Sequence, residues 1–251
     1  MTTGITAEML DGGLAEDLAA ASLAMARRFA RGATLWCVAP GSEPHAHHMA
    51  VEFVHPVIVG KRALPAFALT GSGLVPRARV AVRPGDILTA VAGAADEVVA
   101  DLMRPAPAWG AASAWIGAGP RPAAGAADHV LWIADQDPMA AATGGFVLLY
   151  HLLWELTHVC FEHPGLLRPE PECADDGCIT CGDEGRLAEV VGRAADELDP
   201  SGLGRSGFGS RALVRTAAGE ETIDVTLVAP VSVGDLVLVH AGAALTRPGS
   251  A

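Results

Sequence analysis

Ala33-Thr-Leu-Trp-Cys-Val-Ala-Pro-Gly-Ser-Glu-Pro-His-Ala-His-His-Met-Ala-Val-Glu-Phe-Val54 is the stretch on which the reading of the fold turns. Its first six residues are largely apolar and lie between Gly32 and a Pro-Gly pair, which predicts a buried strand over 33–38. Ala39 to Glu43 reads as a loop, and about Pro44 to Val54 as a helix entered through a proline. Strand, short loop and helix in succession open a parallel α/β unit. On that helix His48 and Glu52 are four residues apart and project from one face. An imidazole and a carboxylate at that spacing suit zinc or a similar divalent ion. A surface pair with no ligand is the competing reading. His45 and His47 are expected to face solvent.

The pattern continues on both sides. Residues 14 to 31 predict a helix with Leu14, Leu18, Met25 and Phe29 on one face and Gly32 as its stop. Further strands are expected over 65–70, 86–91, 111–116 and 129–133, with helices over 94–103 and about 140–162. Strands alternating with helices imply a parallel sheet with helices on both faces, a three-layer α/β domain. His151, on the last helix, could bring a third ligand to His48 and Glu52. Cys37 and Cys160 lie in apolar contexts and read as core thiols.

Pro164 to Asp176 is rich in Pro, Glu and Asp and reads as a linker. Beyond it the pattern changes to short strands over 212–216, 222–228 and 235–240, with turns at Gly219-Glu220 and Val233-Gly234. Those strands imply a small β-barrel. The expected organisation is a domain over 1–163, a linker over 164–176 and a second domain over 177–251.

Bulk properties narrow the function. In a 251-residue chain, 51% hydrophobic and 18% charged residues allow one large core and a small one. A formal net charge of -12 disfavours nucleic acid and anionic membrane surfaces, which need clustered Lys and Arg. No apolar run reaches the roughly 18 residues of a membrane span, and Met1-Thr-Thr-Gly-Ile lacks the features of a signal peptide, so the cytoplasm is the expected compartment. The cysteines, at 37, 160, 173, 178 and 181, are odd in number. In a reducing compartment the last three read as metal or redox chemistry before disulfides.

The strand-loop-helix stretch resembles the phosphoheptose isomerases, of the sugar-isomerase (SIS) domain family. That family has Cys-Gly-Asn-Gly-Gly-Ser, five residues, then His-x-x-x-Glu; Gly41, Ser42, His48 and Glu52 fall on matching positions. His151-Leu-Leu-Trp-Glu-Leu is similar to its last helix. The resemblance implies a SIS-like domain with metal ligands His48, Glu52 and His151, and a ligand contact at Ser42. Three departures stand against isomerase activity, the first being a glycine-rich loop altered to Val38-Ala-Pro40. The family's hydroxyl-rich phosphate loop is Val91-Ala-Gly-Ala-Ala-Asp-Glu97 here, and Thr143 stands where the family has a glutamine ligand.

From Cys178 to about Arg247 the chain resembles the HypC/HupF family of nickel–iron (NiFe) hydrogenase maturation chaperones. The matching strings are Cys178-Ile-Thr-Cys181, Gly185-Arg-Leu-Ala-Glu-Val-Val191 and Val237-Leu-Val-His240-Ala-Gly. The resemblance implies an OB-like barrel in which Cys181 and Cys178, with His240 beside them, hold an iron fragment, Fe(CN)2CO, in transit. Its partners would be the hydrogenase large-subunit precursor and a HypD-type scaffold protein. A soft thiolate suits low-spin iron, although here the cysteine is internal, without a free α-amine. Zinc on the same thiols is an alternative. The expectation is thus an assembly chaperone forming a dimer or tetramer. The alternatives are a metal-dependent sugar-phosphate isomerase and a zinc-binding interaction module.

Overall fold

The computed structural model of the protein describes residues 12–133, 145–168, 185–194 and 210–248. The chain divides into two compact units, one of residues 1–106 and 111–169, the other of 107–110 and 170–251.

The first unit contains α1 (Gly12–Ala30), β1 (Leu35–Val38), α2 (Glu43–Val54), β2 (Ala66–Ala68), α3 (Leu74–Ala81), β3 (Ile87–Val91), α4 (Glu97–Met103), β4 (Ala112–Ala118), β5 (His129–Ile133) and α5 (Gly145–Glu162). Its five strands are all parallel, in the order β2-β1-β3-β4-β5. The chain leaves β1 in one direction to form β2 and returns past it to form β3. Right-handed crossovers then put α2 on one face and α3 and α4 on the other. The α1 face behaves as its spacing requires: Leu14, Leu18, Met25 and Phe29 are all buried, each contributing roughly 1.5–3 kcal/mol by leaving water. Gly32 ends the helix in the left-handed region, at φ 91°, where a residue with a Cβ is disfavoured. Helices α1, α2 and α5 share one core with β1 and the inner residues of β3 and β4.

Asp86 fastens the sheet's lower edge. Its carboxylate accepts from Thr34 N (2.9 Å), the Trp36 indole N–H (2.9 Å) and Arg83 N (2.9 Å). At the other end Gly117 of β4 is required by close approach. A Cβ there would lie 2.2 Å from the Trp132 ring and 2.5 Å from the Ala92 carbonyl oxygen.

Helix α3 is not among the sequence expectations, and the start of the expected linker, Pro164–Leu167, is a 3-10 turn whose Leu166 carbonyl accepts from Arg27 Nε at 3.2 Å. The rest of the linker, from residue 169, lies outside the described residues.

The second unit is a closed barrel of β6 (Arg186–Arg193), β7 (Arg211–Thr216), β8 (Gly219–Asp224), β9 (Leu236–His240) and β10 (Ala243–Thr246), in the order β10-β8-β7-β6-β9. All pairings are antiparallel except that of β10 with β8. Alternate residues face inward: Ala188 and Val190, Ala212 and Val214, Val237 and Val239 are buried. The strand expected over 222–228 is displaced toward the N-terminus, because Gly219 begins β8 and is not the centre of the turn. Strand β10, which the sequence reading did not anticipate, is reached through Ala241 and Gly242, both with positive φ, the pattern of a tight two-residue hairpin. Residues 107–110 belong to this unit. Trp109 is fully buried there and its indole donates to the buried Glu189 carboxylate at 2.7 Å.

Candidate metal centre

Ser42 is the N-cap of α2, with Glu43 and Pro44 opening the helix. From this start Ala46, Met49, Ala50 and Phe53 turn into the core. The neighbouring face, carrying His45, His48 and Glu52, is thereby set along the edge of the core, half-buried. Helix α5 lies against α1 and α2 and brings Tyr150 and His151 to the same place.

The result is a three-member cluster: His48, Glu52 and His151 have ligand atoms all within 4.8 Å of one another. His48 Nε2 is 3.1 Å from Glu52 Oε1. His151 Nε2 is 3.3 Å from His48 Nε2 and 3.4 Å from Glu52 Oε1. The two imidazoles meet edge-on, with centroids 5.1 Å apart at 86°. The side chains of His48 and His151 are each 39% exposed and that of Glu52 17%, so one side of the cluster is open to solvent.

This donor set fits a divalent ion such as zinc. Ligand bonds of about 2.0–2.1 Å in a tetrahedral arrangement separate the donor atoms by about 3.4 Å, close to the three separations found. Three protein ligands also leave one position for water or substrate, the pattern of catalytic rather than structural zinc sites.

Tyr150 is the residue at this cluster that the sequence reading misses. It is fully buried, and its phenol oxygen is 2.8 Å from His48 Nδ1 and 3.5 Å from His45 Nδ1. Burial, and after it the Glu52 charge, raises the Tyr150 phenol well above its ordinary pKa. A hydroxyl in an otherwise apolar helix, next to a candidate ligand, is the signal that could have pointed to it. His45 also departs from expectation: it is half-buried, edge-on to Phe146 (5.9 Å) and Tyr150 (6.0 Å). His47 is exposed, as expected.

Ser42 makes no side-chain capping bond. A pocket of about 340 Å³ lies beside it, lined by Ala39 to Gly41, Glu43, Leu69 to Pro76 and Val98. It sits beyond the carboxyl ends of β1 and β2, where ligands of open α/β sheets bind. Glu43 Oε1 already takes the Gly71 N–H at 2.7 Å. The loop after β3 ends on Asp96, whose carboxylate accepts from Val99 N at 3.0 Å and caps α4.

The remaining candidates divide. His240 is half-buried at the end of β9. Cys173, Cys178, Cys181 and Thr143 lie outside the described residues. Cys37 and Cys160 are buried, and burial raises both thiols above their ordinary pKa, as core thiols require.

Among solved structures the chain is similar to a phosphoheptose isomerase from Francisella tularensis, with a TM-score of 0.51 and 18% identity over 57% of this chain and 86% of that one. It is also similar to phosphoheptose isomerase GmhA from Neisseria gonorrhoeae, with a TM-score of 0.49 and 17% identity over 57% and 86%. A third is the sugar isomerase domain of the RpiR transcription factor from Sphaerobacter thermophilus, with a TM-score of 0.43 and 18% identity over 61% and 81%. No protein-family model matches the chain, and no curated protein matches it. Nothing in these findings shows a HypC/HupF domain. No described helix is long and apolar enough to cross a membrane. The likeness to the Francisella tularensis enzyme establishes a SIS-like fold for the parallel α/β part of the chain.

Proposed function

We propose that the α/β domain is a divalent-metal-dependent sugar isomerase domain, related to the sugar-phosphate isomerases but without their phosphate-binding loop. The observation that carries this reading is the triad, whose donor atoms stand 3.1, 3.3 and 3.4 Å apart on a SIS-like scaffold. His48, Glu52 and His151 would hold the ion, which when bound polarises a substrate oxygen and stabilises charge developing there. Interconversion of an aldose and a ketose moves a proton between adjacent carbons, so a group must take it and return it. His45, outside the triad and packed on Tyr150, suits that exchange. Ser42 and the Thr70 and Ser72 hydroxyls by the pocket suit a polyhydroxylated substrate. Carboxylates at both loops, Glu43 and Asp96, disfavour a phosphate dianion. The reading is therefore of a sugar held chiefly by its hydroxyls. The test is turnover of sedoheptulose phosphate and of unphosphorylated sugars with added zinc. Metal-dependent turnover lost in Glu52→Gln supports the reading; a rate unchanged in that variant removes it.

A second reading, attached to the barrel, is the iron chaperone of HypC/HupF type. The carrying observation is the register of β6 and β9, in which Arg186 pairs with Val239. Continued by one residue, this register sets Gly185 opposite His240; in the sequence Cys181 precedes Gly185 by four positions. The strand order, with the third and fifth strands in parallel, supports the OB-like description. In this reading Cys181 and Cys178 would carry Fe(CN)2CO as cargo between a HypD-type scaffold protein and the hydrogenase large-subunit precursor. An anaerobic pull-down from hydrogenase-expressing cells tests it: either partner is recovered with the wild type and lost with Cys178→Ala/Cys181→Ala. Recovery of neither with the wild type sinks it. The expected domain limits, cytoplasmic location and homo-oligomer belong equally to both readings.

A further inference from the structure

We infer that Tyr150 is a positioning residue of the metal centre: its phenol oxygen accepts the Nδ1 proton of His48 and so turns the Nε2 lone pair toward Glu52 and His151. The inference rests on the metal reading above and assigns to it a residue outside the ligand set.

A neutral imidazole carries one proton, and the partner of one nitrogen decides which nitrogen is left to bind a metal. In His48 the two nitrogens have different neighbours. Nε2 faces Glu52 at 3.1 Å and His151 Nε2 at 3.3 Å, while Nδ1 faces Tyr150 Oη at 2.8 Å. A metal on Nε2 therefore requires the proton on Nδ1, where only an acceptor can meet it, and the phenol oxygen is that acceptor. The phenol's own proton then points elsewhere, and His45 Nδ1 at 3.5 Å is an acceptor for it. His48, Tyr150 and His45 form an ordered donor chain that starts on the ligand and ends on His45.

Packing makes this arrangement stiff. The Tyr150 ring is fully buried and stands edge-on to His45, His48 and His151, at 75°, 79° and 77°. The phenol cannot swing away without displacing three imidazoles. Metal-bound histidines usually give their second proton to a carboxylate, a backbone carbonyl or water, and losing that partner typically weakens metal binding 10- to 100-fold. Here the acceptor is a phenol on the same helix as the candidate ligand His151.

The test uses cobalt(II) alone as the probe, titrated into the full chain and followed by its visible absorption. Cys178→Ser/Cys181→Ser serves as the parent, so that no thiolate of that pair competes. Tyr150→Phe, which keeps the ring and its packing, should weaken cobalt binding about 10- to 100-fold, with unchanged circular dichroism. Nitrogen NMR of the zinc-loaded parent should show His48 protonated at Nδ1. Unchanged affinity in Tyr150→Phe, when Glu52→Gln loses the metal, overturns the role of Tyr150 and leaves the metal reading standing. Coordination of His48 through Nδ1 overturns it as well, whatever the variant does. A parent that takes up no cobalt overturns the metal reading itself, and this role with it.

Discussion

Replacing Trp109 should destabilise the barrel, and by an amount that two substitutions can divide between packing and hydrogen bonding. The side chain is fully buried and its indole N–H donates to the buried Glu189 carboxylate at 2.7 Å. The Arg215 guanidinium lies 5.7 Å from the ring centroid on its face, a contact of about 0.5–2 kcal/mol. Trp109→Phe keeps an aromatic ring and removes the donor. A buried carboxylate short of one hydrogen bond costs about 1–3 kcal/mol or more, and the smaller ring adds about 1 kcal/mol. The expected loss is about 2–4 kcal/mol. Trp109→Ala removes the ring as well, an additional cost of several kcal/mol on the scale of aromatic-to-alanine changes. The assay is urea unfolding read by hydrogen exchange at amides of β6, β7 and β9, which reports the barrel rather than the whole chain. A Trp109→Phe barrel within about 0.5 kcal/mol of wild type, a difference typical of neutral surface changes, would refute the reasoning.

Four further outcomes follow from particular residues. Gly117→Ala should cost at least about 1–3 kcal/mol through overpacking, because the new Cβ would meet the Trp132 ring at 2.2 Å and a carbonyl oxygen that cannot move independently; a thermal midpoint equal to wild type would contradict this. Cys37, fully buried with its thiol pKa raised, should resist iodoacetamide in the native state and react only on unfolding. The same shift sets a pH dependence: the folded state keeps the Cys37 proton while the unfolded state loses it above about 8.5. Stability from this group is thus complete below that value and falls as pH rises, by up to about 1.4 kcal/mol per pH unit; Cys37→Ala should lack that component of the slope, and an identical slope counts against it. Zinc at one hundred times its dissociation constant should stabilise the α/β domain by about 2.7 kcal/mol, an increment that chelator removes and His151→Ala abolishes; an equal increment in that variant would place the metal elsewhere.

The elements legible in the sequence are those whose signal is local. Leu14, Leu18, Met25 and Phe29 mark α1 by spacing alone, and the apolar runs at β1, β3 and β5 declare buried parallel strands. The pair His48 and Glu52 is equally local, one helical turn apart. What escaped depends on partners distant in sequence. Helix α3 has only eight residues, one of them Pro76, too short for its periodicity to register. Strand β10 is defined by pairing with β8 and β9 more than by its own composition. Trp109 looks like a turn residue between α4 and β4, and only the buried Glu189, eighty positions later, gives it a role. Tyr150 was hidden by its neighbour. Adjacent helix residues ordinarily point different ways, yet here the tyrosine meets one nitrogen of His48 and His151 approaches the other.

The most direct measurement is the zinc content of the purified full chain carrying Cys178→Ser/Cys181→Ser, with and without Glu52→Gln and His151→Ala, by elemental analysis after equilibration with zinc and desalting. The account predicts one zinc per chain with the triad intact and none with the triad broken. Equal zinc in the two proteins, or none in either, would contradict it.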